Sequence, residues 1–362
     1  MMSKIDKYFS LAILGLLFIG LFFAFWFYFK YGLVVSNDQP APANSQVLAV
    51  PLASENQPVY RQVVFGVVGD IMLSRNVAAQ MKKFDNPLLP FVNMTDWLKS
   101  NDFNFGNLES LFNGSDFIPG TNSLVFNAWP KSLAGLVENK FKILSLANNH
   151  ALDYGLKAIN YSRDLLTNQG IAVAGVGQNL DQAWQPALLE INGIKIAFIA
   201  VSYTSFNDNG LTSSNYIARW ENTEQLNKSI AQAKLEADLV VVSLHAGIEY
   251  TSQPSAGQIN FAHQAIDQGA DLVIGHHPHW QQKREIYKNK VIYYSLGNFI
   301  FDQMWSLKTK QGLAVQIIVE QIKKNNQKET SLASLKEYQI IIENYGSPRL
   351  DGQPVLVNLK AD

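Results

Sequence analysis

Residues that can bind metals or transfer protons follow six apolar runs of this 362-residue sequence. Five of the six histidines in the chain belong to this group. Its members are Asp70, Glu109, Asn148, Asn149, His150, His245, His276, His277, His279 and Asn298. Imidazole nitrogens mixed with carboxylate and amide oxygens suit divalent metals such as Zn, Mn or Fe. A metal ion held there would acidify water and polarise a substrate oxygen.

The most specific of these segments is residues 275–279, with three histidines in four positions. Such a cluster is rarely structural, so we predict a metal site here. Because side chains two positions apart on an extended chain point the same way, we expect His277 and His279 to project together. Pro278 between them favours that extended form. The sixth histidine, His263, falls on an apolar helix face and is expected to pack there.

Each of the other residues, taken singly, also has a structural explanation. Asp70 could cap a helix, Glu109 could be a solvated loop carboxylate, and His150 could satisfy a turn hydrogen bond. His245 could be a buried histidine with satisfied hydrogen bonds. Arg75 could be either a surface charge or an anion-binding residue. The convergence of several segments is what favours a metal centre.

Eight apolar runs rich in β-branched residues have the length of strands buried on both faces. They cover residues 63–68, 103–108, 141–147, 171–176, 194–201, 238–244, 271–274 and 291–296. Helix-like segments occupy residues 155–170, 221–237 and 255–270. Strands that alternate with helices predict an α/β domain over residues 61–310, in which ligands bind at the carboxyl ends of the strands. The strand-rich residues 311–362 are expected to extend the same domain.

The N-terminal residues predict a membrane anchor. Residues 9–29 carry no charge, and about 20 apolar residues are needed to cross a bilayer core. A cleaved signal peptide is the alternative, but its apolar region would be shorter and would end in small residues. Lys4 and Lys7 favour a cytoplasmic location for residues 1–8, with the C-terminal part of the chain outside the membrane. Residues 30–60, which include several prolines, are expected to tether the domain to this anchor.

Composition excludes several other classes of protein. With 29 Lys and Arg residues against 30 Asp and Glu residues, and no basic run, the chain does not have the charge of a nucleic-acid-binding protein. The absence of cysteine excludes disulfides, iron–sulfur clusters, thiolate zinc sites and cysteine nucleophiles. The length is that of one large domain or two small ones.

Six blocks of the sequence, in this order, resemble the capsule-synthesis CapA family, which is related to the calcineurin-like metallophosphoesterases. The blocks are GDIMLSR (69–75), FGNLES (105–110), LSLANNHALDYG (144–155), VSLHAGIEY (242–250), GADLVIGHHPHWQQ (269–282) and YYSLGNFIFD (293–302). The resemblance implies a metallophosphatase-like αββα sandwich, in which helices flank two sheets. It also implies a bacterial membrane-attached protein associated with poly-γ-glutamate capsules.

Carried over position by position, the resemblance implies roles for individual residues. One or two divalent metals would be held by Asp70, Glu109, Asn149, His245, His277 and His279. His150 would protonate a leaving group, and Asp153 would orient His150. We further expect Arg75, Glu249 and Asn298 to contact the substrate.

Two positions depart from the phosphoesterase pattern. Met72 stands where that pattern has a histidine, and a thioether is a poor ligand for hard metals. The site could therefore hold a single metal or bind its metals weakly. Glu109 is the residue that we expect to bridge the metals, although Asn107 stands nearer to the place of the bridging carboxylate.

Two main functions follow from these patterns. The first is an external, membrane-tethered, metal-dependent hydrolase or transferase that cleaves a phosphoester or an amide of an anionic cell-envelope polymer such as poly-γ-glutamate. The second is a non-catalytic accessory of a membrane polymer synthase and exporter, with other membrane capsule-synthesis proteins as partners. A hydrolase of nucleotides or small phosphates is a third alternative. The Asn149–His150 pair favours catalysis, whereas Met72 favours the accessory role.

Overall fold

Strands and helices alternate along most of the chain, of which this computed structural model describes residues 57–203, 215–325 and 327–359. The strands are β1 (Val59–Ile71), β2 (Phe103–Leu108), β3 (Phe141–Ser145), β4 (Ala172–Ala174), β5 (Ala187–Ile191), β6 (Ile194–Ser202), β7 (Leu239–His245), β8 (Leu272–His276), β9 (Arg284–Tyr287), β10 (Lys290–Tyr293), β11 (Asn298–Ile300), β12 (Gln311–Lys324), β13 (Gln327–Glu343), β14 (Ser347–Leu350) and β15 (Val355–Leu356). The helices are α1 (Arg75–Lys83), α2 (Thr95–Lys99), α3 (Leu133–Glu138), α4 (Gly155–Thr167), α5 (Leu180–Trp184), α6 (Thr223–Glu236), α7 (Ala256–Gln268) and α8 (Leu307–Lys310). Short 3₁₀ helices cover Leu89–Met94 and Pro130–Ser132. The alternation confirms the predicted α/β class.

The predicted anchor at residues 9–29 lies outside the described residues, as does nearly all of the predicted linker at 30–60. None of the helices in the described ranges is both long and apolar enough to span a membrane. The anchor therefore stays a prediction from the sequence.

The first sheet has the strand order β14-β13-β12-β1-β2-β3-β4, with β11 also beside β1 and β15 beside β13. Strands β1 to β4 run parallel, so their carboxyl ends share one edge. Strand β12 pairs antiparallel with β1, and β13 returns beside β12 as a long hairpin. The strand-rich C-terminal segment is thus part of the sheet that carries Asp70.

The second sheet has the strand order β5-β6-β7-β8-β10-β9. Strands β6, β7, β8 and β10 run parallel, and the edge strands β5 and β9 pair antiparallel with their neighbours. His245 and His276, which end β7 and β8, are register partners. Each sheet therefore has its own edge of parallel carboxyl ends.

Apolar side chains from both sheets form a shared core. Phe65 and Phe103 of the first sheet stack with 5.0 Å between ring centroids. Phe198 of the second sheet stacks on Phe105 at 5.1 Å and meets Phe65 edge-on at 6.4 Å. All four rings are buried. Because aromatic rings bury large apolar areas, these contacts hold the two sheets face to face.

Helices α6 and α7 cover the other face of the second sheet. Leu226 of α6 and Phe261 of α7 belong to a second apolar core that also contains residues of β6 and β7. Helix α7 begins with a capping box between Ser255 and Gln258 and ends at Gly269, which has a left-handed φ of 113°. These caps explain why the helix predicted for this segment forms with the expected ends.

Candidate metal centre

Strand ends from both sheets bring the predicted residues together. In the first sheet, Asp70 of β1 is the register partner of Asn107 in β2 and of Asn298 in β11. Gly69 permits this close approach, because a Cβ atom at that position would lie 1.9 Å from the carbonyl oxygen of Gly297. A residue with a side chain at position 69 would therefore force β1 away from Gly297 and displace Asp70.

Three fully buried residues form the middle of this group. Ligand atoms of Asp70, Glu109 and His245 all lie within 4.8 Å of one another. Neither carboxylate oxygen of Glu109 accepts a hydrogen bond from any residue that the structure describes. Its Oε1 faces His150 Nε2 at 3.8 Å and His279 Nε2 at 3.9 Å. Burial and the Asp70 carboxylate raise the pKa of Glu109 well above its usual value.

A bound cation would explain the position of Glu109. A carboxylate that is buried without hydrogen bonds is costly unless a charge compensates it. Groups of this kind are rare in folded proteins and point to an additional ion or water. The mixture of carboxylate oxygens and imidazole nitrogens is a donor set that fits a divalent metal. The residues present thus fit the predicted cofactor.

Asp70, in contrast, is held as a carboxylate. Asn107 Nδ2 donates to its Oδ1 at 2.8 Å, and the backbone N–H of His277 donates to its Oδ2 at 3.2 Å. His276 Nδ1 lies 3.5 Å from Oδ1, and His279 Nδ1 lies 3.6 Å from Oδ2. Burial acts to raise the pKa of Asp70, but the contacts with His276 and His279 lower it well below its usual value.

His245 lies between two amide side chains. Its Nε2 is 2.8 Å from Asn149 Oδ1, and its Nδ1 is 3.1 Å from Asn107 Nδ2. Burial, followed by the charge of His277, lowers the pKa of His245 well below its usual value. The imidazole is therefore neutral, which is the form that binds metals. The neutral amide of Asn107 contacts both Asp70 and His245, whereas neither oxygen of Glu109 accepts a hydrogen bond from the described residues, so Glu109 offers the better metal ligand.

The backbone around the two later histidines differs from the expected extended form. Strand β8 ends at His276, and His277 and His279 have left-handed φ angles of 98° and 57°. The prediction of an extended chain is therefore wrong, although the two rings still lie near each other, with 6.2 Å between centroids. Left-handed backbone at non-glycine residues is strained and clusters at functional sites.

The two rings have different environments. Burial lowers the pKa of His277 to about 3, and its buried Nδ1 has no hydrogen-bond partner among the described residues. Burial also acts to lower the pKa of His279, but the carboxylates of Glu109 and Asp70 raise it to about 9. Asn298 Oδ1 lies 2.9 Å from His279 Nδ1. This contact favours an orienting role for Asn298, and its predicted contact with substrate stays a prediction.

His276 is a member of the centre to which the resemblance assigned no role. Its ring is fully buried, and neither nitrogen makes a hydrogen bond within the described part of the chain. Only its position directly before the predicted histidine pair could have indicated that it faces Asp70. Its register partner in β7 is His245, so the sheet pairing places it there.

His150 and Asp153 form a pair at the side of the centre. His150 Nδ1 lies 2.8 Å from Asp153 Oδ2, which also accepts the backbone N–H of Phe126 at 2.7 Å. The Phe126 ring stacks on the imidazole with 3.9 Å between centroids. This arrangement leaves His150 Nε2 directed at Glu109. The geometry is that expected of an orienting carboxylate, and the sequence held no signal for Phe126.

Arg75 and Glu249 lie around the centre. The side chain of Arg75 is only 11% exposed, forms an ion pair with Asp302, and lies over the Phe126 ring at 4.7 Å. It is therefore not a free surface charge. Glu249 is exposed, and its charge contributes to the raised pKa of Glu109, which places it near that residue. Substrate contact by either residue stays a prediction.

Met72 and His263 do not take part in the centre. Met72 is buried, and its sulfur accepts the backbone N–H of Ser74 at 3.2 Å. His263 Nε2 lies 3.0 Å from Glu285 Oε1, and its ring stacks on Tyr287 at 3.8 Å. The packing predicted for His263 is confirmed.

Residues 64–303 match the family model described as bacterial capsule synthesis protein PGA_cap. The chain belongs to the PGA_cap family. This family is part of the metallophosphoesterase-like superfamily. The resemblance inferred from the six blocks is therefore confirmed.

Two relatives of this chain come from species of Bacillus. It is 32% identical over 260 residues to the capsule biosynthesis protein CapA of Bacillus anthracis, covering 69% of this chain and 62% of the relative. It is 31% identical over 267 residues to the PGA biosynthesis protein CapA of Bacillus subtilis (strain 168), covering 69% and 66%. The match thus spans less than two thirds of each relative.

Among solved structures, a 5'-nucleotidase precursor from Thermus thermophilus is similar to the chain. The two are 12% identical, with a TM-score of 0.36, over 82% of this chain and 54% of that one.

Proposed function

We propose that this PGA_cap protein is a metal-dependent hydrolase or transferase that acts on an anionic polymer of the cell envelope, such as poly-γ-glutamate. It would have the αββα metallophosphatase fold, be anchored in the cytoplasmic membrane by residues 9–29, and act outside that membrane. The observation that carries the proposal is Glu109, a buried carboxylate without a hydrogen bond from the described residues, placed among Asp70 and the histidines. Burying such a carboxylate destabilises the fold unless a bound cation compensates its charge.

The metal ligands follow from the donor atoms. Asp70, Glu109 and His245 would hold one divalent ion, with Asn149, His277 and His279 completing one or two sites. When bound, such an ion acidifies water and polarises the bond to be broken.

His150 is the residue that would move a proton. Its Nδ1 is engaged by Asp153, which fixes the ring orientation and leaves Nε2 as the nitrogen that carries the mobile proton. Phe126 stacked on the ring holds it in place and shields it from water. In this proposal, Nε2 donates its proton to the leaving group, a step that contributes ~10²–10⁴-fold to rate.

The polymer substrate is proposed from the relatives. The two bacillar CapA proteins carry names that refer to capsule and to PGA biosynthesis. Arg75, whose guanidinium pairs with Asp302 and lies over the Phe126 ring that stacks on His150, is the cationic residue that we propose contacts the anionic chain.

A second function is a non-catalytic accessory of a membrane polymer synthase and exporter, which other membrane capsule-synthesis proteins would accompany. Met72 supports this function. It stands where a phosphoesterase has a histidine, and its buried sulfur accepts a hydrogen bond from the backbone N–H of Ser74. The site would then bind the polymer through one metal without cleaving it.

The variant His150→Ala separates the two functions, because this residue is not needed to hold the metal. Polymer yield is measured in cells of the source organism at matched protein levels, with His263→Ala as the control. An enzyme should keep its metal but lose nearly all polymer-related activity with His150→Ala, while His263→Ala stays normal. Normal yield with His150→Ala, together with a severe loss on deleting residues 9–29, would rule out the catalytic function.

A further inference from the structure

Aromatic side chains form a continuous path from the metal centre to solvent. The Tyr250 ring lies 5.9 Å from His279 and 5.0 Å from Trp305, measured between centroids. Trp280 meets the same tyrosine edge-on at 6.3 Å. His279 is buried, Tyr250 is partly buried, and Trp305 is 62% exposed. The path therefore begins at a candidate metal ligand and ends on the surface.

A lysine and exposed apolar side chains border this path. Lys308 Nζ lies 4.3 Å from the centroid of the Trp280 ring, and the indole Nε1 of Trp280 is buried without a hydrogen-bond partner in the described ranges. Ile248 and Leu307 are exposed beside these aromatic residues in the sequence. Glu249, between Ile248 and Tyr250, adds an exposed acidic side chain, so the surface combines aromatic, aliphatic, cationic and anionic groups.

Hydrogen bonds tie this surface to the metal centre. Gln303 Nε2 donates to the Tyr250 hydroxyl at 3.1 Å, and Asn298 Nδ2 donates to Gln303 Oε1 at 3.3 Å. The same Asn298 amide donates to the carbonyl oxygen of Thr309 in α8 at 2.9 Å and contacts His279 through its Oδ1. One asparagine thus links His279 to the segment that carries Trp305 and to the helix that carries the lysine.

We propose that Tyr250, Trp280, Trp305 and Lys308 form a subsite for the units of a polyglutamate chain that flank the unit at the metal centre. This inference rests on the proposed function and extends it to a polymer-binding surface. A γ-glutamyl unit has a planar amide to stack on indole rings, two methylene groups to pack on apolar side chains, and a carboxylate to pair with Lys308. A small phosphate bound at the metal centre would be too short to contact these residues.

Binding of a γ-linked glutamate decamer to the full-length chain in detergent tests the subsite. The decamer carries a fluorescent label, and its anisotropy gives the dissociation constant. Trp305→Ala and Lys308→Gln should each weaken binding about 3- to 10-fold. The loss for Lys308→Gln should be largest at low salt, because an exposed ion pair is screened by ions. Metal content should equal that of the unmodified chain in both variants.

A second aromatic–lysine pair provides matched controls. Phe84 is 59% exposed, and Lys83 lies over its ring at 5.1 Å, at the end of α1. Phe84→Ala and Lys83→Gln should leave binding unchanged. Equal binding by Trp305→Ala and the unmodified chain would overturn the subsite, as would an absence of decamer binding. Equal competition by an oligosaccharide of hyaluronan would also overturn it, since that polymer is anionic but made of sugars.

The failure of this inference is distinguishable from failure of the proposed function. The subsite is judged by binding, and the function is judged by polymer yield in cells carrying His150→Ala. Normal decamer binding by Trp305→Ala, together with a loss of yield in His150→Ala, would leave an enzyme without this subsite. Weakened binding by Trp305→Ala with normal yield in His150→Ala would leave a polymer-binding accessory.

Discussion

At the scale of single residues, the centre pairs two carboxylates with opposite protonation behaviour. Asp70 accepts hydrogen bonds and has a lowered pKa, whereas Glu109 accepts none from the described residues and has a raised pKa. Burial is the same for both, so the difference arises from their partners. Glu109 is the group that gains most from a cation.

The variant Glu109→Gln tests this asymmetry. It replaces a buried carboxyl group, which accepts no hydrogen bond from the described residues, by a neutral amide that binds divalent metals less well. Metal content, measured by elemental analysis, should fall well below that of the unmodified chain. Glu285→Gln, outside the centre, serves as the control and should keep its metal. A Glu109→Gln protein with full metal content would remove Glu109 from the ligand set.

The pH dependence of the stability of the metal-free protein should depend on the titration of His279. Its pKa of about 9 lies above the ordinary value of 6.5, so its pairing with Glu109 and Asp70 stabilises the fold below pH 6.5. That stabilisation is lost as the pH rises through about 9. The urea midpoint of chelator-treated protein should therefore fall over this range, and His279→Gln should reduce the fall. An equal fall in the variant would show that another group titrates.

At the scale of elements, two backbone features position the ligands. Gly69 lets β1 approach the Gly297 carbonyl, and the left-handed residues after β8 turn two imidazoles inward. Residues 277–279 thus form a strained loop directly after β8. The backbone N–H of His277 in this loop donates to the Asp70 carboxylate at the end of β1, so the hydrogen bond stabilises the positions of both segments.

His277→Ala and His279→Ala should each lower metal occupancy, because both rings are buried at the centre and each would supply an imidazole nitrogen to the metal. The contrast is with His263→Ala, whose ring packs on Tyr287 away from the centre. Metal per protein is determined on each purified full-length variant. Unchanged occupancy in both of the first two variants would place the metal elsewhere.

At the scale of the whole molecule, the proposed anchor determines on which side of the membrane the metal centre lies. If residues 9–29 span the membrane with Lys4 and Lys7 inside, the centre faces the outside, where an envelope polymer lies. Protease added to intact spheroplasts should then remove the domain, while a cytoplasmic marker protein is spared. Complete protection of the domain, with cleavage after lysis, would mean that the orientation is reversed.

Much of the site could be read from the sequence, because short apolar runs followed by Asp, Asn or His are local patterns. The strand β2 was predicted with its observed bounds, and β6, β7 and β8 within two residues. The short strands β9, β11, β14 and β15 were not, because a few residues carry too little periodicity. Asn149, His150 and His245 were likewise named from their place after a strand.

Only the tertiary structure decided how these parts meet. Local pattern cannot tell which strands share a sheet, yet the division into two sheets is what brings His245 to Asp70. It cannot show that Asp302 buries Arg75 from 227 residues away, or that Phe126 stacks on His150. The sequence determined the chemical groups and their order, since those are written residue by residue. Their distances and charges depend on burial and on partners that are remote in the chain, which exist only once the two sheets have packed.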